Sequence, residues 1–313
     1  MNWSFKLLIS VSFSFGLIFA LSFCMRIKII KPCSCSQPPV KTGSFFRKSD
    51  SKYIQRWKCP ICKKTFSAAT GNLCFAQKKR RLNPLIQKYL LGKVSQRRIS
   101  IFLKINRKTV ARKVIFLGLK HHLSRINYLE KYRRQKTLKL QFDDMITFEH
   151  TKCKPVAISL LVEEGSRKIL DFEVSSIAAN GRLAEISRKK YGKREDHRRR
   201  GWEKLFRRTQ SIIDEKAHFK SDEYPLYADV LRKYFPNSTH EQFKGRKGCV
   251  VGQGELKAGG WDPLFSLNHS AAMIRDGLGR LVRKTWCTTK RLDRLRDQLE
   301  IYIDYHNRVL TPP

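Results

Sequence analysis

The sequence predicts a mixed α/β domain that follows two small modules, one with paired cysteines and one helical. Three observations predict this class. Paired cysteines occur within residues 33–67, a very basic helical pattern covers residues 78–134, and strand and helix patterns alternate over residues 137–283. At 313 residues the chain is long enough for a core of ordinary size and one or two small modules.

The charge of the chain points to a polyanionic partner. It has 65 Lys and Arg residues against 26 Asp and Glu, a formal net charge of +39. Nucleic acid is the commonest partner of such a protein, while a solvated or membrane-facing basic surface is the alternative. Asp50 is the only acidic residue before Glu130. A stretch so poor in acids has no internal counter-charge, and this favours phosphates as its neutralising groups.

The N-terminal segment is strongly apolar. Residues 7–25 carry no charge and are rich in Leu, Ile, Phe and Val. About 20 apolar residues cross a bilayer, so this segment could be a signal peptide or a membrane span. Alternatively, translation starts at Met25 and residues 1–24 are upstream sequence. We expect a cytoplasmic, nucleoid-associated protein, with single-pass membrane attachment as the alternative.

The first module, residues 25–70, has the cysteine spacing of a zinc ribbon. Two residues separate Cys59 from Cys62, which lets two thiolates share one tetrahedral ion. One residue separates Cys33 from Cys35, where two to four are usual. We predict that these four cysteines bind Zn²⁺. Ordinary thiols, or a site that has lost its metal, are the alternatives.

The second module, residues 78–134, predicts a helix-turn-helix. Two short amphipathic helices are joined by a turn at residues 104–106, and the second helix of such a motif enters the major groove of DNA. Val110, Val114 and Leu117 should face the core. The side chains predicted to face DNA, more surely its phosphates than its bases, are Arg97, Arg98, Arg107, Lys108, Arg112 and Lys113. A generic helical hairpin is the alternative.

The third block, residues 137–313, predicts the α/β domain and a terminal amphipathic helix at residues 292–305. Asp143 follows the first predicted strand and Asp222 follows the fourth. Three antiparallel strands, then helices, then a strand that ends in an acid is the order of an RNase H-like mixed sheet with flanking helices. The four predicted strands are residues 138–142, 156–162, 168–174 and 217–221.

This order brings two carboxylates to adjacent strands. There they could hold a pair of divalent ions about 3.5–4 Å apart, which activate the attacking hydroxyl and stabilise the leaving oxygen of a phosphodiester. A single aspartate is more commonly a turn or cap residue, and this is the alternative for each. The arginine run at residues 198–200 is predicted to be a solvated or phosphate-touching loop.

Several motifs in a fixed order carry a resemblance to a known family. They are SFFRKSD at 44–50, FDDMITFEHTK at 142–152, SDEYPLY at 221–227, KGRKGCVVGQGELK at 244–257, LNHSAAMIR at 267–275 and RKTWCTTK at 283–290. The chain resembles bacterial insertion-sequence transposases of the DDE (RNase H-like) type, in the group with an N-terminal zinc ribbon and helix-turn-helix. The resemblance extends from about residue 33 to residue 307.

The resemblance implies that Asp143 and Asp222 are the first two catalytic acids and bind Mg²⁺ or Mn²⁺. Asn268 occupies the position of the third acid, and its amide oxygen can still bind Mg²⁺. Arg275 follows seven residues later on the same helix face, where it would hold a DNA phosphate. The accessory candidates are Asp144, Glu255, His269 and Arg275, and Asp262 is a further rival for the third ligand.

The resemblance also implies an activity and its partners. The expected protein is a transposase that binds the terminal inverted repeats of an insertion sequence and catalyses Mg-dependent strand cleavage and strand transfer. Double-stranded DNA, as inverted repeats and as target, would be its partner, with a homo-oligomer at synapsis. The alternatives are a decayed transposase that still binds DNA, a membrane-tethered DNA-binding regulator, and a structure-selective nuclease.

Overall fold

The computed structural model describes residues 33–48, 51–244, 262–282 and 287–311. Contacts divide the chain into two compact units, Met1–Gln77 and Lys78–Pro313. The apolar segment at residues 7–25 lies outside the described residues. Within the described ranges, no helix is both long enough and apolar enough to cross a bilayer.

The first unit contains a three-stranded antiparallel sheet. Its strands are β1 (Val40–Arg47), β2 (Lys52–Lys58) and β3 (Thr65–Ser67), in the order β1-β2-β3. Among the hydrophobic residues described in this unit, only Cys59 and Phe66 are buried. A sheet with so small a core needs a further constraint to be stable.

The second unit begins with three helices, α1 (Asn83–Leu91), α2 (Gln96–Phe102) and α3 (Arg107–Arg134). The Ser95 side chain caps α2, and the Asn106 side chain caps α3 by accepting a bond from the N–H of Lys108. The three helices share a core that confirms the predicted orientation of α3. That core consists of Ile86, Leu90, Ile99, Val110, Val114, Leu117 and Ile301.

A five-stranded mixed sheet forms the centre of the second unit, as the predicted α/β class requires. Its order is β6-β5-β4-β7-β8, with antiparallel pairing from β4 to β6 and parallel pairing of β7 with β4 and β8. The strands are β4 (Thr137–Phe148), β5 (Pro155–Glu163), β6 (Ile169–Ser176), β7 (Ile213–Asp222) and β8 (Thr239–Phe243).

Helices cover both faces of this sheet. One face packs with α5 and α6 around Phe142, and the other packs with α7 and α8 around Met145. The terminal helix α8 therefore forms at the predicted residues and completes the second layer. The helices of this domain are α4 (Arg182–Tyr191), α5 (Arg198–Thr209), α6 (Pro225–Tyr234), α7 (Phe265–Gly277) and α8 (Leu292–Tyr305).

Two predicted boundaries are wrong. β4 does not end before Asp143 but continues to Phe148, because its second half pairs with β5 as far as Pro155. The aspartate is therefore in the middle of a strand. The arginine run at residues 198–200 is not a loop, because it forms the first turn of α5.

A buried ionic network joins α3 to the sheet and to α8. The Arg125 guanidinium donates to Asp171 Oδ1 at 2.9 Å and to Glu300 Oε2 at 2.8 Å. At Gly118 the two helices approach closely, and a Cβ atom there would lie 2.8 Å from the Cα of Asp297. The helical module and the sheet are thus held together by packed and ion-paired side chains.

Arg125→Ala is expected to destabilise the protein by about 3 kcal/mol, because two buried carboxylates lose the cation they share. The effect is at the lower end of the usual range because Asp171 still pairs with Arg208 and Glu300 with His122. Urea denaturation followed by circular dichroism measures the change. Arg133→Ala is the control, since Arg133 pairs with Glu130 on the surface of the same helix. The control should cost about 1 kcal/mol or less. Equal effects would show that the network adds no more than a surface ion pair.

Candidate functional site

Four cysteine sulfurs meet beside the turn between β2 and β3. The Sγ atoms of Cys33, Cys35, Cys59 and Cys62 all lie within 4.8 Å of one another. Four Zn–S bonds of about 2.3 Å in a tetrahedron place the sulfurs about 3.8 Å apart. The cluster could therefore bind a metal such as zinc. Although only one residue separates Cys33 from Cys35, both of their sulfurs reach those of Cys59 and Cys62.

The local backbone favours a thiolate at Cys59. Lys63 adopts a left-handed conformation, and its N–H donates to the Cys59 carbonyl at 3.0 Å, which closes the turn. A backbone hydrogen bond at Cys62 is the main cause that lowers the pKa of the Cys59 thiol to about 6. The hydrogen bond with Cys62 is the main cause that raises the pKa of Cys35 to about 11. Metals bind the thiolate form.

The second candidate site lies where β4 and β7 run side by side. These strands pair in parallel up to Phe142 and Ser221, and Asp143 and Asp222 come next on each strand. Neighbouring strands are about 4.8 Å apart, and paired residues of parallel strands point to the same face. The two predicted acids are therefore neighbours, although one is within its strand and the other ends its strand.

Two donors fix one oxygen of Asp143. The Asp144 N–H donates to Asp143 Oδ1 at 2.6 Å, and the Tyr227 hydroxyl donates to the same oxygen at 3.1 Å. Burial is the main cause that raises the pKa of Tyr227, and the aspartate charges add to it, so the hydroxyl keeps its proton. The Oδ2 oxygen makes no bond to the residues that the structure describes, which leaves it for a cation or substrate.

The pKa of Asp143 is raised to about 7, first by burial and then by the charge of Asp222. Burial is also the main cause that raises the pKa of Asp222. Two carboxylates in this position repel each other and lose hydration. Divalent cations bind hard oxygen ligands of this kind, and a bound cation would relieve both penalties.

Asp143→Asn is expected to stabilise the protein at pH 8 by about 2–4 kcal/mol without added Mg²⁺. The folded-state pKa of about 7 lies above the ordinary 3.8. Above pH 7 the buried carboxylate is therefore ionised, and its charge lowers the free energy of unfolding by its full amount. As the pH falls from 7 to 4 the folded state takes up a proton, so the parent gains stability and the difference disappears. Urea denaturation at pH 4 and pH 8 tests this, with exposed Asp229→Asn as the control. A difference between parent and variant that is the same at both pH values would contradict it.

Asp144 points away from the carboxylate pair. It shares the sheet face of Phe142, where the Ser159 hydroxyl donates to its Oδ1 at 2.5 Å and the Trp202 indole N–H donates at 3.0 Å. Burial raises the pKa of Asp144, and these bonds oppose that rise. Alternation along β4 turns the Asp144 carboxylate to the opposite face, so Asp144 bonds to the first acid through its backbone N–H and not through its side chain.

Asn268 lies on the sheet face to which Asp143 points. On that face Gln141 accepts a bond from the Leu267 N–H at 2.8 Å and donates to the Pro263 carbonyl at 2.9 Å, which ties the start of α7 to β4. The Asn268 amide donates through Nδ2 to Asp262 Oδ2 at 3.0 Å. Its Oδ1, the atom that could bind a metal, bonds to none of the described residues.

The remaining accessory candidates make no described contact with the aspartate pair. His269 Nε2 lies 3.4 Å from Arg167 Nη1, so this ring faces the turn between β5 and β6 and not the aspartates. Arg275 lies on α7 two turns after Asn268. Glu255 lies outside the described residues.

The basic residues predicted to face DNA are exposed, with one correction. Lys113 is buried, and its Nζ donates to the Lys78 carbonyl at 2.7 Å. It follows Val110 by one helical turn and therefore shares the buried face of α3. The exposed residues are Arg97, Arg98, Arg107, Lys108 and Arg112.

Tyr227 and Trp202 were not identified from the sequence as parts of the site. Trp202 lies 58 residues from Asp144, and Tyr227 lies 84 residues from Asp143. The sequence carried one signal, because Tyr227 closes the motif that contains Asp222. Aromatic residues spaced like core residues gave no indication that their polar atoms reach carboxylates.

Comparisons of the chain with models of known protein families and with curated proteins found no match. The cysteine cluster provides four soft ligands, and the aspartate pair provides two hard ones. Soft and hard ligand sets favour different metals.

Proposed function

We propose that this protein is a DDE-type DNA transposase with an RNase H-like catalytic domain. The observation that carries the proposal is the parallel pairing of β4 with β7, which makes Asp143 and Asp222 neighbours on one face of the sheet. Three antiparallel strands, two helices and then the strand that carries Asp222 follow one another along the chain, and this order supports that fold. The net charge of +39 supports DNA as the substrate.

Mg²⁺ would be held by Asp143 and Asp222, with the Asn268 amide oxygen as a neutral third ligand. When bound, it supplies activation of the attacking hydroxyl and stabilisation of the leaving oxygen. The protein contributes orientation. Tyr227 and the Asp144 N–H hold Asp143 Oδ1, so that Oδ2 is the oxygen presented at the site.

DNA recognition is assigned to the helical module and the cysteine unit. The exposed arginines and lysines of α2 and of the first turns of α3 would contact phosphates. Zn²⁺ on the four cysteines would hold the β1–β3 sheet together. The recognised DNA would be the terminal inverted repeats of the element that encodes the protein.

The test is cleavage and joining of DNA that carries both flanks of the gene, by the full-length protein, with and without Mg²⁺. Mg²⁺-dependent nicking at the flanks followed by joining to a second DNA supports the transposase. Nicking without joining indicates a nuclease. Binding to the flanks without cleavage indicates a decayed transposase or a regulator, and no preference for the flanks would contradict the proposal.

A further inference from the structure

Arg198 is separated from Asp222 by one aromatic residue, Tyr224, and the proposed mechanism gives it no role. It is the first residue of α5, and its side chain is 22% exposed. Its guanidinium carbon lies 4.8 Å from the centre of the Tyr224 ring. Cation–π contact of this kind fixes the plane of a guanidinium group.

Tyr224 connects this arginine to Asp222. The Tyr224 N–H donates to Asp222 Oδ1 at 3.3 Å, directly after β7 ends. The Tyr224 ring packs on Trp202 at 5.8 Å and on Tyr227 at 5.2 Å between centroids. The surface that supports Arg198 is thus built from the residues that bond to the three aspartates.

The hydrogen-bond donors of Arg198 are only partly used. Asp196 accepts bonds from Nε at 2.9 Å and from Nη2 at 2.6 Å. The Nη1 group donates to no group within the described ranges. An arginine with one unused donor group suits a phosphate.

A DNA strand that lies against the aspartate pair would need a cation nearby. Asp143, Asp222 and the exposed Glu223 repel a phosphodiester, and bound metal ions offset only part of that repulsion. We propose that Arg198 binds a non-bridging oxygen of a phosphate on the DNA strand that is cut, next to the aspartate pair. This inference rests on the proposed function and adds a residue that contacts the substrate.

The first experiment measures binding, so it does not depend on cleavage. Full-length protein is titrated in Ca²⁺ with flank DNA in which one phosphate at a time is replaced by a neutral methylphosphonate. We expect one neutral position near the cut to weaken binding of the parent about tenfold, as loss of one hydrogen bond to a charged group would. Arg198→Ala should bind about tenfold more weakly overall and be insensitive at that position. Arg199→Ala, one residue along the same helix and exposed, should behave like the parent.

The second experiment measures cleavage in Mg²⁺. Arg198→Ala should cut about 100-fold more slowly, which is the typical effect of losing one preorganised donor. Arg198→Lys keeps the charge and should recover part of the rate, and Arg199→Ala should retain it. Unchanged melting temperatures show that the variants are folded.

The outcomes separate this inference from the proposed function. Cleavage by Arg198→Ala at the parent rate overturns the inference and leaves the transposase intact. A parent that binds but does not cut contradicts the catalytic proposal, while the methylphosphonate scan still decides the role of Arg198. Arg198→Ala that keeps the parent's full sensitivity at every phosphate overturns the inference, and a parent that does not bind DNA overturns both.

Discussion

Asp143→Asn and Asp222→Asn are each expected to abolish DNA cleavage while DNA binding is retained. Each change removes one negative charge and one of the two anionic ligands at the junction of β4 and β7. A metal ion contributes several kcal/mol to the transition state of phosphodiester cleavage, and about 1.4 kcal/mol corresponds to a factor of ten in rate. A loss of roughly 10³-fold or more follows for either variant.

The measurement is single-turnover cleavage of labelled flank DNA in Mg²⁺, with binding measured in parallel. Asp229→Asn is the matched control, because Asp229 is an exposed acid on α6, near the end of β7. It should cleave at the parent rate. Retention of cleavage in either active-site variant would remove that aspartate from the proposed mechanism. Loss of DNA binding together with cleavage would indicate a structural role instead.

Removal of the metal from the four-cysteine cluster is expected to unfold the β1–β3 sheet. Cys59 and Phe66 are its buried hydrophobic residues within the described part of the unit, so its own core contributes little stability. A structural zinc ion contributes about 10–16 kcal/mol to folding in small zinc domains. Cys59→Ser should therefore lose both the metal and the sheet.

Metal content by mass spectrometry and amide resonances by NMR test this expectation. The parent should contain one zinc ion per chain in the cluster, and Cys59→Ser should contain none. Cys74→Ser is the control, because Cys74 lies in the same unit but outside the cluster. A folded β1–β3 sheet in metal-free protein would show that hydrogen bonds and the small core suffice. The second unit should be unaffected by the loss of metal.

The sequence predicted the elements that depend on local pattern. Apolar spacing identified the buried face of α3 at Val110, Val114 and Leu117, and alternation located the strands that align Asp143 with Asp222. These signals are short-range and periodic, so they survive without tertiary information. Lys113 was predicted to be exposed because of its charge, although its position in the helix, three residues after Val110, already indicated the buried face.

The surroundings of the aspartates could not be predicted in this way. The Tyr227 bond to Asp143 joins residues 84 positions apart, and the packing of α6 against β4 brings them together. The extension of β4 beyond Asp143 depends on its partner β5, because a central strand continues as far as its neighbour pairs with it. Tertiary pairing therefore decided both features.

The length of α3 has a consequence for where DNA would be cut. Arg107–Arg134 is one helix of 28 residues, about 42 Å long at 1.5 Å per residue. Its first turns carry exposed basic residues, its middle is locked by Arg125, and it ends three residues before β4 begins. Such a helix would keep a fixed distance between its basic first turns and the central sheet. On the proposed function, the protein would set the distance between the DNA sequence that it binds and the phosphodiester that it cuts. Changes in the DNA sequence at the cleavage point should therefore leave the position of cleavage unchanged.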